Sequence, residues 1–282
     1  MCCRCCAMMY LMIHIWMNPN IFTAGSFTMS WHGLFTGLAV LVAVILVARL
    51  AKEKSFTIED VYSTALWGVV GGIIGARLFH VIDKWSTIYQ YDPKQALYFW
   101  EGGLSLYGAL VGGFVFGITY AAIRKMPLGK VADLAAPGMI LAQAIGRIGC
   151  LINGDAYGTP TSLPWGVLYT NPNAASTAGP WVNGVLVAGH PVPVYEIIWD
   201  LLILALLLRL RKRLKNDWML FLIYASAYAL GRFGLDFLRG DETAVLGPFH
   251  QAQVISLIVM AIAIPVLIWL SRRPAPQLPE AG

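Results

Sequence analysis

Charge is what this sequence has least of. Of its 282 residues only 12% are Asp, Glu, Lys or Arg, while 58% are hydrophobic and the mean hydropathy is +0.65. A soluble domain carries about 25% charged residues, so the composition argues against a soluble fold and for the bilayer. The few cations sit mostly in short loops between apolar runs. The net charge of +5 therefore reads as a topology signal, and no nucleic-acid partner is expected. Cysteine is scarce beyond the N-terminus: Cys2, Cys3, Cys5 and Cys6 precede a lone Cys150. No CxxC pair of metal-site type recurs downstream, which argues against a zinc ribbon. A convincing signal peptide is lacking too, because the apolar stretch Cys5–Met17 is short and has no clear small-residue cleavage site. The four N-terminal cysteines suit palmitoylation or metal binding. The favoured reading makes residues 1–16 an uncertain extension from a mis-assigned start, with Met17 opening a more ordinary beginning. No internal repeat or second domain is evident.

What is present is a series of seven apolar runs, approximately 32–51, 61–82, 104–123, 131–152, 194–210, 217–238 and 251–271. Each is long enough to cross a hydrocarbon core of about 30 Å. The expected fold is an all-α integral membrane protein with seven transmembrane helices, forming a single domain over 17–272. The stretch 153–193, rich in Gly, Pro, Asn, Ser and Thr, is too long for a simple connection and is expected to form a small extracytoplasmic cap. Residues 273–282 form a Pro-rich polar tail, expected to be disordered and cytoplasmic.

Lys and Arg divide unequally between the two sides. Arg49, Lys52, Lys54, Arg124, Lys125, Lys130, Arg209, Arg211, Lys212, Arg213, Lys215, Arg272 and Arg273 fall on one side. Lys84, Lys94 and, at an edge, Arg239 fall on the other, and 153–193 contributes none. The positive-inside rule then places the N-terminus outside and the C-terminus in the cytoplasm.

Three arginines remain inside apolar runs: Arg77, Arg147 and Arg232, each near the outer end of an even-numbered span. An intramembrane arginine costs at least about 2.5–3.5 kcal/mol on insertion scales, so such residues face the bundle interior and find partners, unless they snorkel to the interface. His32, Tyr107, Asn153, Asp155, His190, Tyr195 and Glu196 share that depth. In the sixth run Tyr228, Arg232, Asp236 and Arg239 fall on one helical face, as either a self-satisfied salt bridge or part of a site. Added to Arg77 and Arg147 they leave an excess of positive charge, which suits an anion such as a phospholipid headgroup. Arginine's planar fork recognises phosphate well. Gly68, Gly71, Gly72, Gly75, Gly108, Gly112, Gly113 and Gly117 read as a close helix–helix seam. Gly102, Gly103 and Gly108 could instead admit a lipid or peptide close to the backbone.

The run from Gly146 to Gly158, GRIGCLINGDAYG, resembles the signature of the bacterial prolipoprotein diacylglyceryl transferase family, approximately G-R-x-G-N-F-x-N-x-E-x-x-G. Similar segments recur in order: SFTMSWHGL near the start, GARLFHVI (75–82), WEGGLSLYGALVGG (100–113), HPVPVYE (190–196) and YALGRFGLDFLRGDE (228–242). The resemblance covers nearly the whole chain from Met17. It implies transfer of the diacylglyceryl group of phosphatidylglycerol to the lipobox cysteine thiol of a prolipoprotein, giving a thioether and glycerol phosphate, in the bacterial plasma membrane. It implies no metal and no cofactor. Carried over by position, Arg147 and Arg232 would bind and polarise the phosphate. Asn153 and Asp155 would order the cavity, Asp155 through an ion pair with an arginine, and Tyr228 and Asp236 would support Arg232. Arg77, Arg239, Gly103, Gly108 and Gly158 are further candidates around the headgroup.

Five positions depart from the family pattern. Its histidine before the third-span glycines is Tyr107, and its first-span tyrosine is His32. If the two outer helix ends meet, the exchange preserves a His–Tyr pair, and His32 is then the better base, since an imidazole near pKa 6.5 accepts protons more readily than a phenol near 10. Alternatively, base catalysis is weakened or relocated. The signature's Asn is Cys150, expected to be packed and inert rather than a second thiol acceptor, and its Glu is Asp155. Asp236 also stands where Glu is usual. Other readings are a divergent transferase with another acceptor or donor, and a non-catalytic phospholipid-binding protein or transporter.

Overall fold

The computed structural model describes residues 12–25, 27–52, 56–98, 102–174, 179–214, 216–241 and 244–273. Cys2, Cys3, Cys5 and Cys6, Lys54, Trp100, Glu101, Lys215, Glu242 and the tail from residue 274 onward lie outside the described residues.

The described chain is mostly helical. Its α-helices are α1 Trp31–Ala51, α2 Ile58–Asp83, α3 Leu106–Ile123, α4 Leu128–Asn153, α5 Val192–Leu210, α6 Met219–Leu235 and α7 Gln251–Ser271. Each expected apolar run lies on one of them. Five helices, α1 to α4 and α7, are long and apolar enough to cross a membrane among the described residues. The other two fall short for local reasons: α6 has 17 residues, and α5 carries Glu196, Asp200 and Arg209. Large side chains such as Leu257, Ile258, Ile262 and Trp269 on α7 are exposed, as a lipid-facing surface requires.

The helix starts follow local chemistry. Thr57 caps α2 in a reciprocal pair with Asp60, and Ser105 accepts from the Gly108 amide to open α3. At α7 the His250 amide donates to Gln253 Oε1 at 2.9 Å.

Contacts divide the chain into two units, one of Met1–Phe22, Met29–Ala43 and Ala135–Gly282, the other of Thr23–Thr28 and Val44–Leu134. In the second unit α2 and α3 pack along their glycines. A Cβ on Gly75 would lie 2.9 Å from the Gly112 Cα, and one on Gly112 equally close to the Gly75 Cα, so nothing larger than hydrogen fits between the backbones. In the first unit α6 packs on α5 and α7, around a core of Ala136, Ile140, Ile203, Leu207, Leu220 and Tyr224.

The 153–193 segment, within the first unit, holds strand β4 (Val167–Tyr169) and the hairpin β5 (Trp181–Val182) and β6 (Val185–Leu186). Upstream lie β1 (Ile13–Ile15), β2 (Asn20–Ala24) and β3 (Phe27–Ser30), and a last hairpin, β7 (Ala244–Leu246) and β8 (Phe249–His250), precedes α7. β1 pairs in parallel with β4, Ile13 opposite Val167 and Ile15 opposite Tyr169. The Tyr169 hydroxyl donates to the Leu151 carbonyl at 2.8 Å, satisfying one of the last carbonyls of α4. Burial pushes that phenol up from its ordinary pKa, so it stays a donor. An apolar pocket of about 340 Å³ opens here, lined by Ile13, Ile15, Leu151, Trp165, Val194 and Ile198 among others.

Candidate active site

The site in the first unit is built around a carboxylate. Glu196, one turn into α5, is buried at 5% exposure. Its Oε2 lies 2.8 Å from Arg147 Nε, and its Oε1 accepts from Arg232 Nη1 at 2.6 Å. Arg232 also reaches Asp236 Oδ1, one turn along at 3.3 Å. Asp236 is fully buried, and its Oδ2 meets His250 Nδ1 at 2.8 Å. The run Arg147, Glu196, Arg232, Asp236, His250 thus links α4, α5, α6 and the start of α7. Burial forces this closure, because a charged group buried alone would be expensive. Tyr228 sits half-buried, within electrostatic reach of both arginines, and stacks on Tyr224. Asp200, one turn beyond Glu196, is buried at 2%.

This arrangement changes the charge count. The sequence suggested an excess of positive charge, but Glu196 and Asp236 match Arg147 and Arg232 one for one. Glu196 lies on another helix, so the spacing along α6 could not reveal it. A glutamate inside an apolar helix is the signal that points to it, and it belongs in the site, as does His250. What the network offers an anion is two arginines already held in place, with the Nε of Arg147 occupied by Glu196 and its Nη1 turned toward the Cys150 sulfur at 3.9 Å.

A second cluster adjoins this one at the ends of α1 and α4. His32 Nδ1 faces Cys150 Sγ at 3.7 Å and Asp155 Oδ2 at 3.9 Å. Asn153 Nδ2 donates to the same Asp155 oxygen at 2.9 Å. Asp155 was expected beside an arginine; its carboxylate is instead found with His32 and Asn153. The helices approach closely here, since a Cβ on Gly149 would lie 2.9 Å from the His32 Cα.

Other candidates make contacts of their own. Arg239 bends back to an ion pair with Asp241, so the face expected along α6 breaks after Asp236, where the helix tightens into a 3₁₀ turn over Asp236–Leu238. Gly158 bridges to Arg239, and a Cβ there would lie 2.6 Å from that of His190. It serves as a crossing point of three strands of chain.

In the second unit Arg77 is wrapped by backbone. It donates to the carbonyls of Ala96 at 2.9 Å, Gly102 at 2.7 Å and Gly103 at 3.0 Å, and also to that of Gln95. Its guanidinium lies over the Tyr89 ring. These contacts clamp the α2–α3 connection and leave little of the fork for a headgroup. Gly103 has φ +72° and its Cα hydrogen faces the His80 ring; Gly108 sits in the α2–α3 seam. Tyr107, at the start of α3, is half-exposed in the same unit.

The sequence matches the family described as prolipoprotein diacylglyceryl transferase over residues 19–269. The chain belongs to that family. Among proteins named phosphatidylglycerol–prolipoprotein diacylglyceryl transferase, it is 36% identical to that of Trichormus variabilis over 275 residues, 93% of each chain. It is 38% identical to that of Dehalococcoides mccartyi over 263 residues, 93% of this chain and 97% of the other. Against that of Clostridioides difficile the identity is 35% over 264 residues, covering 94% and 100%. Within the chain, the signature run Gly146–Gly158 forms the end of α4 and the turn after it, and supplies Arg147, Cys150, Asn153 and Asp155 to the two clusters.

Proposed function

We propose that the chain transfers the diacylglyceryl group of phosphatidylglycerol to the thiol of a lipobox cysteine in a prolipoprotein, releasing glycerol phosphate. Family membership over nearly the whole length supports the reaction class. The observation that carries the chemistry is Glu196 holding Arg147 and Arg232 at once. The leaving group gathers charge on its phosphate as the glyceryl C–O bond breaks, and donors already fixed in place stabilise that charge with little reorganisation. Arg147 and Arg232 take that role. Tyr228 and Asp236 hold Arg232, and Asn153 and Asp155 order the mouth of the cavity. Arg239 and Gly158 shape the chain within the same unit, while Arg77, Gly103 and Gly108 hold the second unit together. The incoming thiol must lose its proton to attack; His32 serves that step, with Tyr107 as the second candidate.

The reading includes a topology. Seven spans, α1 to α7, place the N-terminus outside and the C-terminus in the cytoplasm of a bacterial plasma membrane, with 153–193 as an extracytoplasmic cap. The short α6 and the charged α5 are tolerated as spans because their polar groups face each other.

The test is transfer from phosphatidylglycerol vesicles to a lipobox peptide, read as thioether product and glycerol phosphate. Arg147→Ala is expected to lower the rate by about 100- to 1000-fold, the usual cost of one transition-state donor. Phosphatidylglycerol binding without release in the wild type would replace the transferase reading with a lipid-binding one.

A further inference from the structure

We infer that His32, Cys150 and Asp155 form a three-ligand site for a zinc-class divalent cation, with its fourth position open to the acceptor thiol. The second half of this statement rests on the transferase reading above.

One ligand atom from each residue lies within 4.8 Å of the other two, with His32 Nδ1 at 3.7 Å from the sulfur and 3.9 Å from the carboxylate. Metal–ligand bonds of about 2.0–2.3 Å at tetrahedral angles put ligand atoms about 3.4–3.6 Å apart. Small side-chain rotations would close the remaining gap. The donor set selects the ion: a thiolate and an imidazole suit zinc and disfavour magnesium or calcium. Thiolate and carboxylate together neutralise a divalent charge. The Asn153 amide on Asp155 is the outer partner that fixes a ligating carboxylate, and the tight approach of Gly149 to the His32 backbone holds the two helices together beside the site. All three ligands stand where the sequence departs from the family pattern, His for Tyr, Cys for Asn and Asp for Glu, so three separate substitutions meet in one place.

Three protein ligands with one open position is the arrangement of a reactive rather than a structural zinc site. His32 and Asp155 are 44% and 36% exposed, which leaves an approach for a fourth ligand. A thiol that binds there is deprotonated by the metal, and the proton passes to water. The bound sulfur attacks the glyceryl carbon. The S–C bond forms as the C–O bond to phosphate breaks, and the electron pair leaves on the phosphate oxygen beside Arg147. His32 then assists deprotonation as a ligand rather than as the base. Cys150 cannot itself carry the lipid, because its thioether would be too poor a leaving group to pass the chain on.

The experiment uses full-length protein in phosphatidylglycerol nanodiscs with Cys2, Cys3, Cys5 and Cys6 replaced by serine, so that Cys150 is the one thiol. Cobalt titration after chelation is expected to give one equivalent with a thiolate-to-metal charge-transfer band. Asn153→Ala should weaken binding by about 10- to 100-fold, with His32→Phe and Cys150→Ser weakening it further. The triple variant His32→Tyr, Cys150→Asn, Asp155→Glu supplies a comparison with the family's own residues should a single variant fail to fold. No band in the parent, or cobalt affinity unchanged in the ligand variants, overturns the site. If metal binds but the chelated protein transfers lipid as fast as the zinc-loaded one, the thiol role is overturned. If no form transfers lipid at all, the transferase reading fails while the metal result stands on its own.

Discussion

Arg147 and Glu196 meet across α4 and α5, Nε to Oε2 at 2.8 Å. The same carboxylate holds Arg232 through its other oxygen, so one anion sets the position of two cations. Glu196→Gln keeps the shape and removes the charge, leaving Arg147 without its carboxylate and Arg232 with Asp236. Breaking a buried pair in this way costs about 3–5 kcal/mol. A lower unfolding temperature in detergent is expected, with transfer reduced by about 10- to 100-fold even below the unfolding range. A fully active, equally stable Glu196→Gln protein would show that the arginines do not depend on it.

His250 stands two links from Arg232, behind Asp236. Its contact at 2.8 Å fixes the carboxylate that orients Arg232. His250→Phe should therefore reduce the transfer rate by about 10-fold and should not add to the defect of Asp236→Asn, because both act on one chain of contacts. Strict additivity of the two variants would separate His250 from the network.

Arg77 tests whether every arginine in an apolar run serves the headgroup. Its bonds to four carbonyls predict that Arg77→Ala loses at least about 3 kcal/mol of stability and exposes the 84–105 connection to protease. The KM for phosphatidylglycerol should move less than about threefold, within the scatter of a purely structural effect. A large KM change with an intact connection would return Arg77 to the lipid site.

The seam between α2 and α3 makes a steric prediction. Gly75→Ala or Gly112→Ala must push two backbones apart and should cost about 1–3 kcal/mol. Gly37→Ala, with nothing within 4 Å of the added methyl, should be nearly silent. Thermal unfolding of the three variants side by side decides it.

A chain begun at Met17 lacks β1. It loses three ladder positions beside β4 and the packing of Ile15 on Val167, Tyr169 and Ala174. Reduced hydrogen-exchange protection over 167–169 is expected in that shorter form. Unchanged protection there would show that β1 adds nothing to the strand it borders.

The helices were legible because apolar runs separated by turn residues leave few alternatives, and the boundaries of α1 and α7 agree with the runs to within a residue. The glycine seam was legible for a similar reason, since spacing along a helix is a local property. The site was legible in part. Arg232 and Asp236 share a face of one helix and could be paired from the sequence. Glu196 could not be paired with them, since only the folded chain brings α5 between α4 and α6. The same limit hid the meeting of His32 with Cys150 and Asp155, since His32 and Cys150 stand 118 positions apart in the sequence. The partners of Arg77 could not be read at all, because they are backbone carbonyls, which carry no trace in residue type.

That last residue also sets an order of events in biosynthesis. The carbonyls that satisfy Arg77 lie 18 to 26 positions downstream, so while α2 is leaving the ribosome its cation has none of them. The insertion cost of a bare arginine, at least about 2.5–3.5 kcal/mol, then falls on α2 alone. Those carbonyls belong to the segment that leads to α3. The two helices are thus satisfied only as a pair: the cation of one is met by the backbone that leads into the other.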